Sequence, residues 1–145
     1  MIAVDTNLLV YAHRADHEWN DAAHACLKSL MAGRAAWAIP WPCIHEFMAI
    51  VTRAKIFEPP STLKQAIHQL ESWVESPSLS LLGETPQHLA TLARIALHAK
   101  VQGGTIHDAR IAAICLDHRV TELWSADRDF SRFPGLRVRN PLEGH

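Results

Sequence analysis

Apolar residues in this chain alternate between short β-branched runs and longer stretches of helical period. Ile2 to Val4 is a short run that stops at Asp5-Thr6-Asn7, residues suited to a turn or a helix N-cap, before Leu8 to Ala12 resumes as apolar. The pattern predicts strand, turn, helix. A helix follows from about His17 to Met31 with Gly33 as its stop, then a buried strand over Ala36 to Ile39, punctuated by Pro40 and Pro42. Ile44, Phe47, Met48 and Val51 recur at helical spacing up to about Ala54, with Glu46 off their apolar face. Ser61 is placed to cap a helix carrying Leu63, Ile67, Leu70 and Val74, and Leu79 to Leu82 reads as a third strand.

Thr85-Pro86 opens the next predicted helix, running to about Lys100. Gly103-Gly104 breaks it, and Thr105 is placed to cap a helix so apolar, from Ile106 to Leu116, that deep burial is expected. Glu122 to Ser125 reads as a fourth strand, Asp127-Arg128-Asp129 as the loop after it, and Leu136 to Arg139 as a short edge strand. Short strands alternating with helices predict an α/β domain with a central, mostly parallel sheet of four to five strands, residues 1–145 forming one domain.

At 145 residues, 48% of them hydrophobic, the chain is long enough to bury a real core. A formal net charge of -1 excludes a protein that coats nucleic acid through bulk positive charge, so any such site must be a local patch. Cys26, Cys43 and Cys115 are odd in number and lack zinc-site or disulfide-framework spacing, which fits a reducing compartment. With no long apolar stretch and an acid at position 5 where a signal peptide needs basic then apolar residues, the sequence reads as cytoplasmic, without membrane contact.

In open parallel sheets ligands sit beyond the carboxyl ends of the strands. Asp5, Glu46 and Asp127 each follow a predicted strand closely, and Asp108 lies in the first turn of the helix leading into the fourth, so four acids are expected on one rim. Clustered carboxylates repel one another unless a cation sits among them, and Mg2+ or Mn2+ is the natural occupant, being a hard ion that prefers carboxylate and water oxygens. Such a site suits phosphodiester hydrolysis by activated water. Asp5 and Asp108 are assigned as the principal ligands, direct or through water, with Glu46 and Asp127 completing the cluster and Thr6, Asn7 and Ser125 holding acids or waters by hydrogen bonds.

Each acid also has a plainer reading. Asp5 could be an N-cap, Asp108 the acidic member of a capping box begun by Thr105, Glu46 a complement to its helix dipole, and Asp127 and Asp129 turn residues. His13 and His17 lie one helical turn apart with His24 beyond them, but no third and fourth zinc ligand is evident.

The segments Val-Asp5-Thr-Asn, Glu46 on the helix after the second strand, Ile-His-Asp108-Ala-Arg-Ile-Ala-Ala and Trp-Ser-Ala-Asp127-Arg-Asp-Phe together resemble the PIN-domain ribonucleases, specifically the VapC-type toxins of toxin–antitoxin pairs. The resemblance runs end to end. It implies an α/β/α sandwich, Mg2+- or Mn2+-dependent endoribonuclease activity on transfer or ribosomal RNA, arrested translation, homodimerisation, and inhibition by a VapB-type antitoxin. The family's acids fall on Asp5, Glu46, Asp108 and Asp127, with Asp129 auxiliary. Arg14, Arg53, Lys55, Arg110, Arg128 and Arg132 are candidates for RNA phosphate contacts that offset the acidic rim, and the Leu63 to Val74 helix could line a dimer or antitoxin groove.

An aspartyl-nucleophile phosphatase would want an acid where Asn7 stands, and a receiver-type signalling domain would want adjacent acids at the first strand end. The remaining alternative is a non-catalytic module that keeps the fold and binds RNA or protein without cutting.

Overall fold

The computed structural model describes residues 1–143, so the last two residues of the expected 1–145 domain lie outside the described part. Five parallel strands, β1 (Ile2–Val4), β2 (Trp37–Pro40), β3 (Leu79–Leu82), β4 (Glu122–Trp124) and β5 (Val138–Arg139), form one sheet in the order β3-β2-β1-β4-β5. The helices are α1 (Thr6–His13), α2 (Asn20–Ala32), α3 (Trp41–Val51), α4 (Leu63–Val74), α5 (His88–Ala99) and α6 (Ile106–Asp117), with 3-10 turns at Gly103–Thr105 and Arg128–Arg132. The α/β class and the parallel sheet are as expected.

β1 is the central strand, and its register decides where the site forms. It pairs with β2 through Ile2↔Trp37 and Ala3↔Ala38, and with β4 through Val4↔Trp124. Asp5 and Ser125, each one residue beyond that last pair, therefore emerge side by side at the carboxyl edge. Ala3, Val4, Trp37, Ala38, Ile39 and Leu123 have no solvent exposure, the burial expected of parallel strands covered on both faces. Phe47 of α3 is likewise fully buried, edge-on to His13 of α1 and tilted against Trp73 of α4, and so ties three helices together. The expected deep burial of α6 is found from Ala109 to Cys115 along all but Arg110.

Several element ends differ from the sequence reading, each for a local reason. α2 begins at Asn20 because His17 to Trp19 form a turn, with the Trp19 amide donating to His17 Nδ1, while Asn20 Nδ2 donates to the Tyr11 and Ala12 carbonyls at the end of α1. α3 stops at Val51, where the Thr52 hydroxyl turns back to the Met48 carbonyl. α5 begins at His88 rather than Thr85, whose hydroxyl is engaged with the Gln87 amide and Asp117. β2 and β4 each end one residue away from the expected position, and β5 is limited to two residues.

The cap of α4 is Thr62, not Ser61. Thr62 Oγ1 accepts from the Gln65 amide at 3.0 Å while Gln65 Oε1 accepts from the Thr62 amide at 2.8 Å, a reciprocal capping box. Ser61 is buried and spends its hydroxyl on His13 and Arg14. Thr62→Ala is expected to lower the unfolding free energy by about 1 kcal/mol, read as a shift in the denaturant midpoint at constant slope; an unchanged midpoint would show that the box contributes nothing.

Candidate active site

Asp5 occupies the N-cap position of α1 but makes no side-chain cap bond. Its carboxylate turns inward instead. Ser125 Oγ donates to Oδ2 at 2.7 Å, the Cys43 thiol donates to Oδ1 at 3.6 Å, and the residue is only 4% exposed. Burial, opposed by the Ser125 bond and reinforced by the nearby Glu46 charge, raises its pKa from 3.8 to about 6.

Ser125 is the hub around this acid. Its oxygen also accepts from the Asp127 amide at 3.0 Å and, more distantly, from Asn7 Nδ2 at 3.5 Å, while Asn7 Oδ1 accepts from the Ala126 amide at 3.2 Å. Asn7 thereby fastens the loop after β4 to the start of α1. Glu46 reaches across from α3 to accept from the buried Thr6 hydroxyl at 2.9 Å, a fixed orientation that a mere dipole complement would not need.

Asp108 is half-buried on α6. The capping box that could have occupied it does not form, because Thr105 Oγ1 is engaged with the backbone of Gln102 on the preceding turn. Burial raises the Asp108 pKa, and the charges of Asp127, Glu46 and Asp129 push it further the same way while Arg132 opposes them. Asp127, Glu46 and Asp129 thus lie close enough to Asp108 for their charges to act on it. Asp127 keeps part of its plainer role, with Oδ1 accepting from the Asp129 amide at 2.9 Å at the head of the 3-10 turn. Asp129 is exposed and holds Arg132 through its carboxylate at 3.4 Å and its carbonyl at 2.9 Å.

The basic candidates separate clearly. Arg132 lies where Asp108 senses its charge. Arg14 sits at the opposite end of α1 from Asp5, bound to Asp16 and Ser61 and lying over the Phe57 ring. Arg110 is paired with Glu84 and Arg128 with Glu143. Arg53 and Lys55 are exposed beyond the end of α3. Two histidines of the zinc reading are otherwise engaged: His13 with Gln69 and Ser61, His17 stacked on Tyr11.

Among the described residues no three His, Cys, Asp or Glu side chains are grouped to hold an ion by themselves. What the rim offers is an all-oxygen donor set with unfavourable like charge, carried on acids from four separate elements. That chemistry fits a hard divalent cation gripped by one or two carboxylates and otherwise hydrated, as magnesium commonly is, better than a caged metal.

Cys43 was invisible to sequence reasoning, which sees only an unpaired cysteine. Its position in the first turn after β2, three residues before Glu46, is the one clue that it reaches the rim. Burial and the charges of Asp5 and Glu46 push its thiol well above the ordinary value, so it keeps the hydrogen it points at Asp5.

A groove of about 1260 Å³ lies elsewhere, between the end of α1 and the α4 surface bearing Leu63, Ile67 and His68; none of the four acids lines it.

Comparison with known proteins agrees with the architecture. The PIN domain family matches residues 2–136. Ribonuclease VapC43 of Mycobacterium tuberculosis is 33% identical over 144 residues, covering 99% of this chain and 97% of the relative. Ribonuclease VapC48 of the same species is 27% identical over 140 residues, covering 97% of each. Among solved structures, VapBC2 from Rickettsia felis bound to a promoter DNA fragment superposes with a TM-score of 0.71 at 19% identity, covering 96% of this chain and 98% of that one. The VapC20 toxin of M. tuberculosis, described as cleaving the sarcin-ricin loop, gives 0.68 at 14% identity, covering 90% and 93%. Fold and sequence similarity thus agree along almost the whole length, and the chain belongs to the PIN-domain family, among the VapC ribonucleases.

Proposed function

We propose that this protein, acting as a single PIN-like domain, is a Mg2+- or Mn2+-dependent endoribonuclease and the toxin of a VapBC-type pair, hydrolysing cellular RNA and so arresting translation. The observation that carries this reading is the buried Asp5 carboxylate, oriented by Ser125 and sharing a rim with Glu46, Asp108 and Asp127. A bound divalent cation would supply positive charge beside the scissile phosphate and make water there more acidic.

The chain's own residues define where that happens. Asp5 and Asp108 would hold the cation, directly or through water, while Glu46 and Asp127 would complete its surroundings. Thr6 fixes Glu46, and the Ser125–Asn7 bonds fix the loop bearing Asp127. Arg132, braced by Asp129, is the basic side chain best placed to receive a backbone phosphate that the acids alone would repel.

Structured transfer or ribosomal RNA is the proposed target, in keeping with the sarcin-ricin loop named for the VapC20 neighbour. An amphipathic antitoxin segment suits the groove beside Leu63 and Ile67. Leu89 and Leu97, 77% and 78% exposed on α5, offer an apolar face for a second copy.

The test is cleavage of total cellular RNA by the purified chain. Discrete fragments are expected with Mg2+ or Mn2+ and none with EDTA or with a folded Asp108→Asn variant. RNA binding without cutting, unchanged by chelator and by the substitution, would replace this reading with the non-catalytic binding module.

A further inference from the structure

We infer that Cys43 is a positioning residue for the cleavage reaction: its thiol and the Ser125 hydroxyl together lock the rotation of the Asp5 carboxylate. The inference rests on the nuclease reading and adds a residue that reading does not use.

Each Asp5 oxygen has its own donor, Ser125 Oγ on Oδ2 at 2.7 Å and Cys43 Sγ on Oδ1 at 3.6 Å. A carboxylate held at one oxygen can still turn about its terminal bond, whose torsional preference is broad. Held at both, by groups from different elements, it cannot. Ser125 comes from the end of β4 and Cys43 from the first turn of α3, so the two donors approach from separate parts of the fold. An ionised carboxylate has about four lone-pair sites, so the Ser125 and Cys43 donors leave capacity for a cation.

Cys43 and Glu46 stand three residues apart, neighbouring positions on α3. One helix thus carries both the donor that sets Asp5 and the next acid of the rim. A thiol suits the task because it packs as a small apolar group in a site with no solvent exposure, yet still directs a weak hydrogen bond at the carboxylate. Packing alone would be served by any small apolar side chain; the hydrogen aimed at Asp5 is what such a side chain lacks.

The experiment compares wild type with Cys43→Val, Cys43→Ala and Cys43→Ser in three measurements. These are the Tm without metal, the Mn2+ concentration giving half of the maximal Tm increase, and kcat and KM for a short RNA in Mg2+. Val and Ala variants that remain folded are expected to need about 10-fold more Mn2+ and to lose about 10-fold in kcat with KM for RNA unchanged, the scale seen when a group supporting a metal ligand is removed. Cys43→Ser, which keeps a donor, is expected to recover most of both. Wild-type Mn2+ response and kcat in Cys43→Val would overturn the inference, as would a serine variant as impaired as valine, since side-chain volume would then be the cause. An inactive wild type that Mn2+ does not stabilise would overturn the nuclease reading and this inference with it; an active wild type beside an equally active Cys43→Val overturns this inference alone.

Discussion

Asp5→Asn is expected to abolish RNA cleavage while making the metal-free protein harder to unfold at neutral pH. The two effects have one origin. In the folded chain Asp5 keeps its proton up to about pH 6, against 3.8 for the ordinary group, chiefly because burial disfavours the charge. Between those values the native state binds more protons than the unfolded one, so wild-type stability falls as pH rises from about 4 to about 6 and stays reduced above that. At neutral pH the ionised group costs on the order of 3 kcal/mol.

Asparagine carries no charge and can place its oxygen toward Ser125 and its amide toward the Cys43 sulfur. The variant should therefore match wild type near pH 4 and exceed it increasingly up to pH 6, with a constant margin beyond. Denaturant unfolding at pH 4, 5, 6 and 7 measures this, and a margin that does not change with pH would refute the account. Added Mn2+ should reverse the ranking, because a ligand that binds only the native state stabilises it, and the asparagine variant has lost the principal carboxylate.

Ser125→Ala is the second large effect. The substitution removes the donor to Asp5 and leaves the Asp127 amide without its acceptor, in a residue only 2% exposed. Breaking such a buried set costs about 1–3 kcal/mol of stability. Activity should fall about 10- to 100-fold, as for other groups that orient metal ligands. The Ser125 bond also holds the Asp5 pKa down. Its loss moves the acid limb of the pH–rate profile to higher pH, so the defect should be worst in mildly acidic buffer. A profile displaced in parallel at every pH would mean that Ser125 acts on the fold and not on Asp5.

The rim was legible in the sequence because two regularities fix it. Strand runs end at definite residues, and parallel register brings those ends to one edge, so Asp5 and Asp127 could be placed before any coordinates. Of the hydrogen bonds, those of Thr6 to Glu46 and Ser125 to Asp5 follow the expectation for hydroxyls beside the acids, but elsewhere neighbouring residues of similar chemistry compete for the same role. Ser61 and Thr62 are both hydroxyls at the start of α4, and only packing against His13 and Arg14 decides that the first is buried and the second caps. Thr105 and Asp108 spell a capping box that the preceding 3-10 turn takes apart. Arg14 has the right charge for RNA, but eight helical residues separate it from Asp5, and it is spent on Asp16 and Phe57. Cys43 looks like core until a carboxylate is found in front of it.

The bond between Asp5 and Ser125 joins residues 120 positions apart, and β4 must pair with β1 before it can form. A chain emerging from the ribosome therefore carries its first acid long before the segment that orients it. Until α6 and β4 have been made, the rim lacks Asp108, Ser125 and Asp127 altogether. The order of synthesis thus leaves this candidate site incomplete until nearly the whole chain has been made.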